Sequence, residues 1–131
     1  MKTKEHNILF KHEDVKQFAK LIGDQNPIYQ SLESAKNFGF DTIPLPPSMP
    51  TTAYKWIDIP WELQHPITHR KQKCIHYQRM YINENYRAIV EVTNQFERRN
   101  LTFIQQTLYI NNRDGQLCFE GISELILGGL S

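Results

Sequence analysis

Three apolar runs in the second half of the chain, each broken by turn chemistry, constrain the fold more than any other feature. From Ala88 to Phe96 the apolar residues Ala88, Val90, Val92 and Phe96 fall on even positions, with Glu91, Thr93, Gln95 and Glu97 in alternation. That is the period-two pattern of a half-buried strand. Arg99-Asn100 reads as a tight turn, after which Leu101 to Ile110 resumes with β-branched and aromatic residues. Asp114-Gly115 signals a short hairpin whose two turn positions take positive φ, and Leu117 to Leu127 closes the series. An earlier strand is expected around Lys73 to Arg79. Strands joined by such short turns pair antiparallel.

The first half has a different period. Val15, Phe18, Ala19 and Ile22 recur at i, i+3, i+4 and i+7, which puts them on one helix face. Glu13 and Asp14 lie in the first turn, where negative charge suits the helix dipole, and Gly23 follows as a left-handed stop. A shorter helix is expected from Leu32 to Phe38, with Ser31 as cap and Gly39 as stop. A third begins at the prolines: Met49, Ala53, Trp56 and Ile57 repeat at helical spacing, Pro50 sits in the first turn, and Pro60 ends it. This is the most apolar of the three, so it is expected to be the buried one, with Trp56 in its core stripe. Helices first and antiparallel strands afterwards imply an α+β domain with the apolar helix across one face of the sheet.

With 131 residues the chain has room for one core, so residues 1–131 are read as a single domain. A formal net charge of +1 gives no broad basic surface for nucleic acid. Arg70, Lys71 and Lys73, and the Arg98-Arg99 pair, read as solvated edges or turns, or as a dock for an acidic carrier or a nucleotide phosphate. No stretch is apolar enough to span a bilayer and the start has no apolar signal core, so a cytoplasmic protein is expected. Cys74 and Cys118 lack C-x-x-C spacing and read as buried thiols rather than a disulfide or metal site. His65 and His69 are expected at the surface, beside a loop proline. His76 is in phase with Cys74 and Gln78, which leaves it facing either a cavity or an edge. No histidine pair has metal-ligand spacing, so neither metal nor cofactor is expected. Tyr54 and Trp61 fit an acyl tunnel, core packing or a dimer interface equally.

The informative segment is Leu21-Ile22-Gly23-Asp24-Gln25-Asn26-Pro27-Ile28-Tyr29, followed by Ala35, Gly39-Phe40 and the run Leu45-Pro46-Pro47-Ser48-Met49-Pro50-Thr51-Thr52-Ala53. It resembles the signature of the MaoC-like, (R)-specific enoyl-thioester hydratases and dehydratases: a helix ending in Gly-Asp-x-Asn-Pro, an aliphatic residue, then a histidine. The resemblance implies a hotdog fold, an antiparallel curved sheet wrapped around a central helix. It further implies a water held between the aspartate and the histidine, a backbone N–H of the central helix on the thioester carbonyl, and dimerisation. A helix N-terminus suits such an oxyanion, and a carboxylate and an imidazole can share proton traffic near neutral pH.

Carried over by resemblance, Asp24 takes the aspartate position, Asn26 and Pro27 form the turn that aims it, and the Ser48 and Met49 amides take the carbonyl-binding position. Tyr29 stands where the histidine belongs. A phenol with a pKa of about 10 is a poor base at neutral pH but a good hydrogen-bond donor. Tyr29 therefore either donates a hydrogen bond in a slow or silent enzyme, or acts as a general acid with Asp24. The third reading is a non-catalytic half whose hotdog partner supplies the dyad. The form Gly-Asp-x-Asn-Pro-x-Tyr with Pro-Pro-x-x-Pro looks most like this last case, the substrate-holding half of fatty-acid-synthase-like dehydratases. Asp24 also fits a plain turn residue, and Tyr29 a packed side chain. The ligand implied is an acyl-CoA or acyl-carrier-protein thioester, and the assembly a homodimer or heterodimer with another hotdog subunit. The competing functions are a non-catalytic acyl-thioester-binding module and a hotdog thioesterase.

Overall fold

The computed structural model describes residues 1–63 and 66–128; the expectation for His65 lies outside them. Five strands form one antiparallel sheet: β1 (His6–Ile8), β2 (Ile67–His76), β3 (Tyr86–Arg98), β4 (Leu101–Asn111) and β5 (Leu117–Gly128), in the order β1-β3-β4-β5-β2. The consecutive strands β3, β4 and β5 make a meander, and β2 and β1 close its two edges. Along β4 the even residues Ile104, Gln106, Leu108 and Ile110 are buried, opposite the buried odd residues Leu125, Ser123, Gly121 and Phe119 of β5. These side chains line the face that receives the helical half of the chain.

The alternation along β3 holds only to Val92. A bulge between Val92 and Asn94 leaves Thr93 as the extra residue, and beyond it Phe96 pairs with Phe103 rather than with an inward residue. One inserted residue flips every later side chain to the opposite face. Phe96, expected on the apolar face, is accordingly 49% exposed and stacks on Phe103, with ring centroids 4.8 Å apart and planes 4° apart. The β3–β4 connection is the tight turn expected, with Arg99 and Asn100 both at positive φ. The β4–β5 loop is longer than a two-residue hairpin. Gly115 has positive φ but Asp114 does not, and Asn112 Oδ1 organises the turn by accepting from Asp114 N and Gln116 N, each at 3.0 Å.

Strand β2 starts six residues earlier than expected and ends at His76. Its Thr-His-Arg-Lys-Gln-Lys stretch carries no apolar alternation, because β2 is an edge strand with most of its residues exposed. Cys74 is exposed there, against the expectation of a buried thiol, whereas Cys118 on β5 is buried. Strand β1 escaped the sequence reading since three residues give no measurable period. The chain preceding it follows β3, with Thr3 N donating to Val90 O at 2.8 Å and Val90 N returning to Thr3 Oγ1 at 2.9 Å.

Helix α1 (His12–Leu21) buries Val15 and Ala19 as the spacing predicts. Ile22 falls just past its end and is 50% exposed, and Gly23 turns the chain at φ 72°. Helix α2 (Leu32–Asn37) is capped by Ser31, whose Oγ accepts from Ser34 N at 3.1 Å. The helix after the prolines is a 3-10 helix, Met49–Trp56, instead of an α-helix. Pro50 brings no N–H, and the Thr51 and Thr52 hydroxyls donate to the carbonyls of Ser48 and Met49 three residues back, each at 2.7 Å. These i−3 contacts suit the tighter winding. In that winding Pro50 and Ala53 share the buried face, while Trp56 is 39% exposed at the core's edge, edge-on to Phe10 at 5.4 Å.

The proline segment before this helix is held like a short strand: Leu45 N donates to Met80 O at 2.9 Å and Ile82 N to Ile43 O at 3.1 Å. Tyr86, only 1% exposed, props up the far side of that pairing. Its hydroxyl accepts from Tyr81 N at 2.8 Å and donates to Glu84 at 3.0 Å. Burial drives its phenol far above the usual tyrosine range, the Tyr81 N–H pulls the other way, and Glu84 adds to the rise. A raised pKa in the folded state gives stability that is complete below the unfolded value, about 10, and is lost as pH climbs towards the folded value. Tyr86→Phe strands the Tyr81 N–H and is expected to cost about 1–3 kcal/mol in urea unfolding at neutral pH. The variant is also expected to lose less stability than the parent when the titration is carried above about pH 10.

Candidate active site

The segment from Gly23 to Tyr29 is shaped by bonds within itself. Asp24 N donates to Ala19 O at 2.8 Å, closing the end of α1. Asp24 Oδ1 accepts from Asn26 N at 2.9 Å, and Asn26 Oδ1 accepts from Ile28 N at 3.2 Å. Two successive side-chain turns of this kind are what Asp-x-Asn-Pro encodes, and they lead into a single 3-10 turn, Pro27–Tyr29. Asp24 thus fills the turn role that its spacing allowed, which occupies one of its carboxylate oxygens. Asn26 and Pro27 are exposed, while Ile28 and Tyr29 are carried inward.

Tyr29 is 6% exposed. Burial first, then the negative charge of Asp24, push its phenol above the usual range, and the Arg79 guanidinium pulls the other way. Asp24 and Arg79 are thus the charges that bear on Tyr29, and Arg79 carries no site signal in the sequence. Arg79 lies just beyond β2 and stacks over the Phe40 ring, 4.8 Å from its centroid. Contact between residue 79 and residue 40 has no sequence signature, since it depends on how the loops return. His12 was equally silent in sequence; its Nε2 meets Tyr29 O at 3.1 Å and ties α1 to the 3-10 turn.

A cavity of about 410 Å³ opens between the proline loop and the end of β2, with Pro47, Pro50, His76 and Arg79 in its wall. His76 faces this cavity as its phase allowed, but its Nε2 donates to Pro47 O at 2.6 Å and its ring packs edge-on to Phe119. It serves as a strut for the loop. Met49 is buried and its N–H already donates to Pro46 O at 3.0 Å. Ser48 is exposed, and its N–H has no partner among the described residues. Of the two amides singled out, only that of Ser48 is open to a ligand. His69 is exposed on β2, as expected. Among the described residues no three His, Cys, Asp or Glu side chains gather into a metal-binding group, and no helix is long and apolar enough to cross a membrane.

Residues 1–120 match the model of the family described as FAS1-like, dehydratase domain region. No curated protein matches the sequence. Among solved structures, the HadBC (3R-hydroxyacyl-ACP dehydratase) complex from Mycobacterium tuberculosis superposes with a TM-score of 0.81 at 18% identity, covering 96% of this chain and 94% of that one. An (R)-hydratase from A. caviae involved in PHA biosynthesis gives 0.78 at 19%, covering 98% and 95%. A MaoC-like dehydratase from Rhodospirillum rubrum gives 0.77 at 10%, covering 100% and 92%. At such identities the likeness speaks for the fold, and the fold is the hotdog expected.

The charges around Tyr29 make its titration a direct probe of the cluster. Asp24→Asn keeps an oxygen for Asn26 N and removes the charge, so Tyr29 is expected to titrate lower than in the parent. Arg79→Gln is expected to move it further up. Ultraviolet difference titration against Tyr29→Phe reads both shifts; an unmoved Tyr29 in the two variants would show that the three groups do not share a site.

Proposed function

The chain belongs to the FAS1-like dehydratase domain family, and on that footing we propose that it is the substrate-holding component of an acyl-thioester dehydratase or hydratase. Its ligand is a 3-hydroxyacyl or enoyl thioester of coenzyme A or a carrier protein. The observation that carries this reading is Tyr29, buried and held neutral, in the position where the resembled hydratases carry their histidine. A phenol held above its usual pKa does not serve as the base of a hydration at neutral pH, but it donates a hydrogen bond throughout that range.

In this reading the thioester enters the cavity beside Pro47 and Arg79. In the same reading its carbonyl oxygen accepts from the Tyr29 hydroxyl and the free Ser48 N–H, the two donors assigned to the developing enolate charge. Arg79 supplies positive charge on the same side. Asp24, with Oδ1 engaged by Asn26 N, has its second carboxylate oxygen left to orient water or a substrate hydroxyl. Asn26 and Pro27 hold the turn, and Met49 seats the start of the central helix against the core.

The missing base comes from a second hotdog subunit in the same reading. Strand β2 offers a ten-residue edge, mostly exposed and, among the described residues, unpaired on its outer side, whereas the opposite edge is the three-residue β1. A long open edge invites pairing with another sheet, and His76 and Arg79 lie at its site end. Two of the superposing structures are of complexes, HadBC and ChsH1-ChsH2. The exposed Arg70, Lys71 and Lys73 line the same edge.

Hydration of crotonyl-CoA tests the proposal. Alone, the chain is expected to run about a hundred- to ten-thousand-fold below a complete dyad, the usual cost of one lost acid–base group. Tyr29→His, or a dyad-bearing partner subunit, is expected to restore turnover. Full hydratase activity in the parent alone would contradict the partner requirement, and a restored rate unchanged by Asp24→Asn would remove Asp24 from the chemistry. Saturable acyl-CoA binding without turnover in every combination would make the chain a thioester-binding module, the reading that the engaged Asp24 Oδ1 favours as an alternative.

A further inference from the structure

On the other side of the central helix lies a second cavity, of about 490 Å³, bounded by Thr51, Tyr54, Gln72, Gln106, Ser123 and Leu125. Its floor is unlike the rest of the inner sheet face. Gln72 of β2 is in register with Ser123 of β5, and Ser123 with Gln106 of β4. These three form a polar row straight across the sheet. Above it lie Leu108, Gly121 and Phe119 of the main core, and below it Ile104, Leu125 and Leu127 of a second apolar cluster.

Gln106 and Ser123 are buried, 6% and 4% exposed. Gln106 Oε1 is taken by Trp61 Nε1 at 2.8 Å, which fixes the amide and turns its NH₂ donor elsewhere. Over the row stands Tyr54, whose hydroxyl is buried without a hydrogen-bond partner among the described residues. Burial raises its pKa, and although Ser123 lies close enough to pull against that rise, the two hydroxyls do not meet in bonding geometry. An orphaned buried hydroxyl is costly, and Tyr54, which bears it, lines a cavity much larger than one water, with apolar walls and a few convergent polar groups. That is the make-up of a small-molecule site.

We infer that this cavity takes the distal part of the acyl chain and that Tyr54, Gln106 and Ser123 select a chain bearing a hydrogen-bonding oxygen, a hydroxyl or keto group, over a plain alkyl chain. The inference rests on the thioester reading above. Gln72 is four residues along β2 from His76, about 13 Å at strand rise, so a chain whose thioester lies beside Arg79 reaches the polar row only with its far end. The oxygen at that end accepts from Tyr54 and from the Gln106 amide, and Ser123 completes the set. A purely alkyl tail would leave these groups unpaired and dry, and specificity of this kind is steep because the site's own polar groups suffer from the wrong ligand.

The test is calorimetric binding of decanoyl-CoA and its ω-hydroxy analogue to the full chain in its native assembly. The analogue is expected to bind about five- to tenfold tighter, the effect of one or two net hydrogen bonds. Tyr54→Phe is expected to abolish that preference, and Ser123→Ala to reduce it; circular dichroism confirms that both are folded. Equal affinities in the parent, or a preference intact in Tyr54→Phe, would overturn the inference while leaving the thioester reading in place. Binding of neither thioester would overturn the thioester reading and this inference with it.

Discussion

The site depends on the pair of side-chain turns between Gly23 and Tyr29. Asp24 and Asn26 each accept a backbone N–H two residues ahead, so the chain leaves α1, reverses and delivers Tyr29 into the interior within six residues. Without those bonds the Pro27–Tyr29 turn has no fixed entry, and the phenol has no fixed relation to Asp24 or Arg79. The interaction also limits chemistry, because a carboxylate oxygen that already accepts an N–H is a weaker base toward water. One motif thus positions the tyrosine and partly disarms the aspartate.

A second tether holds the proline loop. His76 on β2 donates to Pro47 O, and the proline segment is paired to residues 80–82, which are in turn propped by Tyr86. The loop bearing the open Ser48 N–H is therefore fixed to the sheet from both ends. Preorganisation of this kind lets a donor act without moving at the moment of reaction. It also leaves His76 engaged as a support for the loop, through the Nε2 proton that Pro47 O accepts.

Much of the fold was legible because its signals are local and periodic. The meander from Ala88 to Leu127, both α-helices, the Ser31 cap and the glycine stops at Gly23 and Gly39 follow from alternation, spacing and turn residues. The exceptions have local causes that alternation does not register. A single extra residue, Thr93, sends Phe96 outward; Pro50 and two threonine back-bonds tighten the central helix into 3-10 form; and β2 reads as polar because it is an edge. In the candidate site, Asp24, Asn26 and Tyr29 stand out from one contiguous motif. Arg79, His12 and the row Gln72–Ser123–Gln106 were not, since each acquires its meaning only from strand register or loop return.

The central claim is that Tyr29 acts as a neutral hydrogen-bond donor to a bound thioester carbonyl. Isotope-edited infrared spectroscopy of a carbonyl-labelled acyl-CoA bound to the chain reads that bond directly. The account predicts a carbonyl stretch lowered on binding at neutral pH, with most of the lowering lost in Tyr29→Phe. A bound carbonyl stretch identical in the parent and in Tyr29→Phe would contradict it and leave Tyr29 as a packing residue.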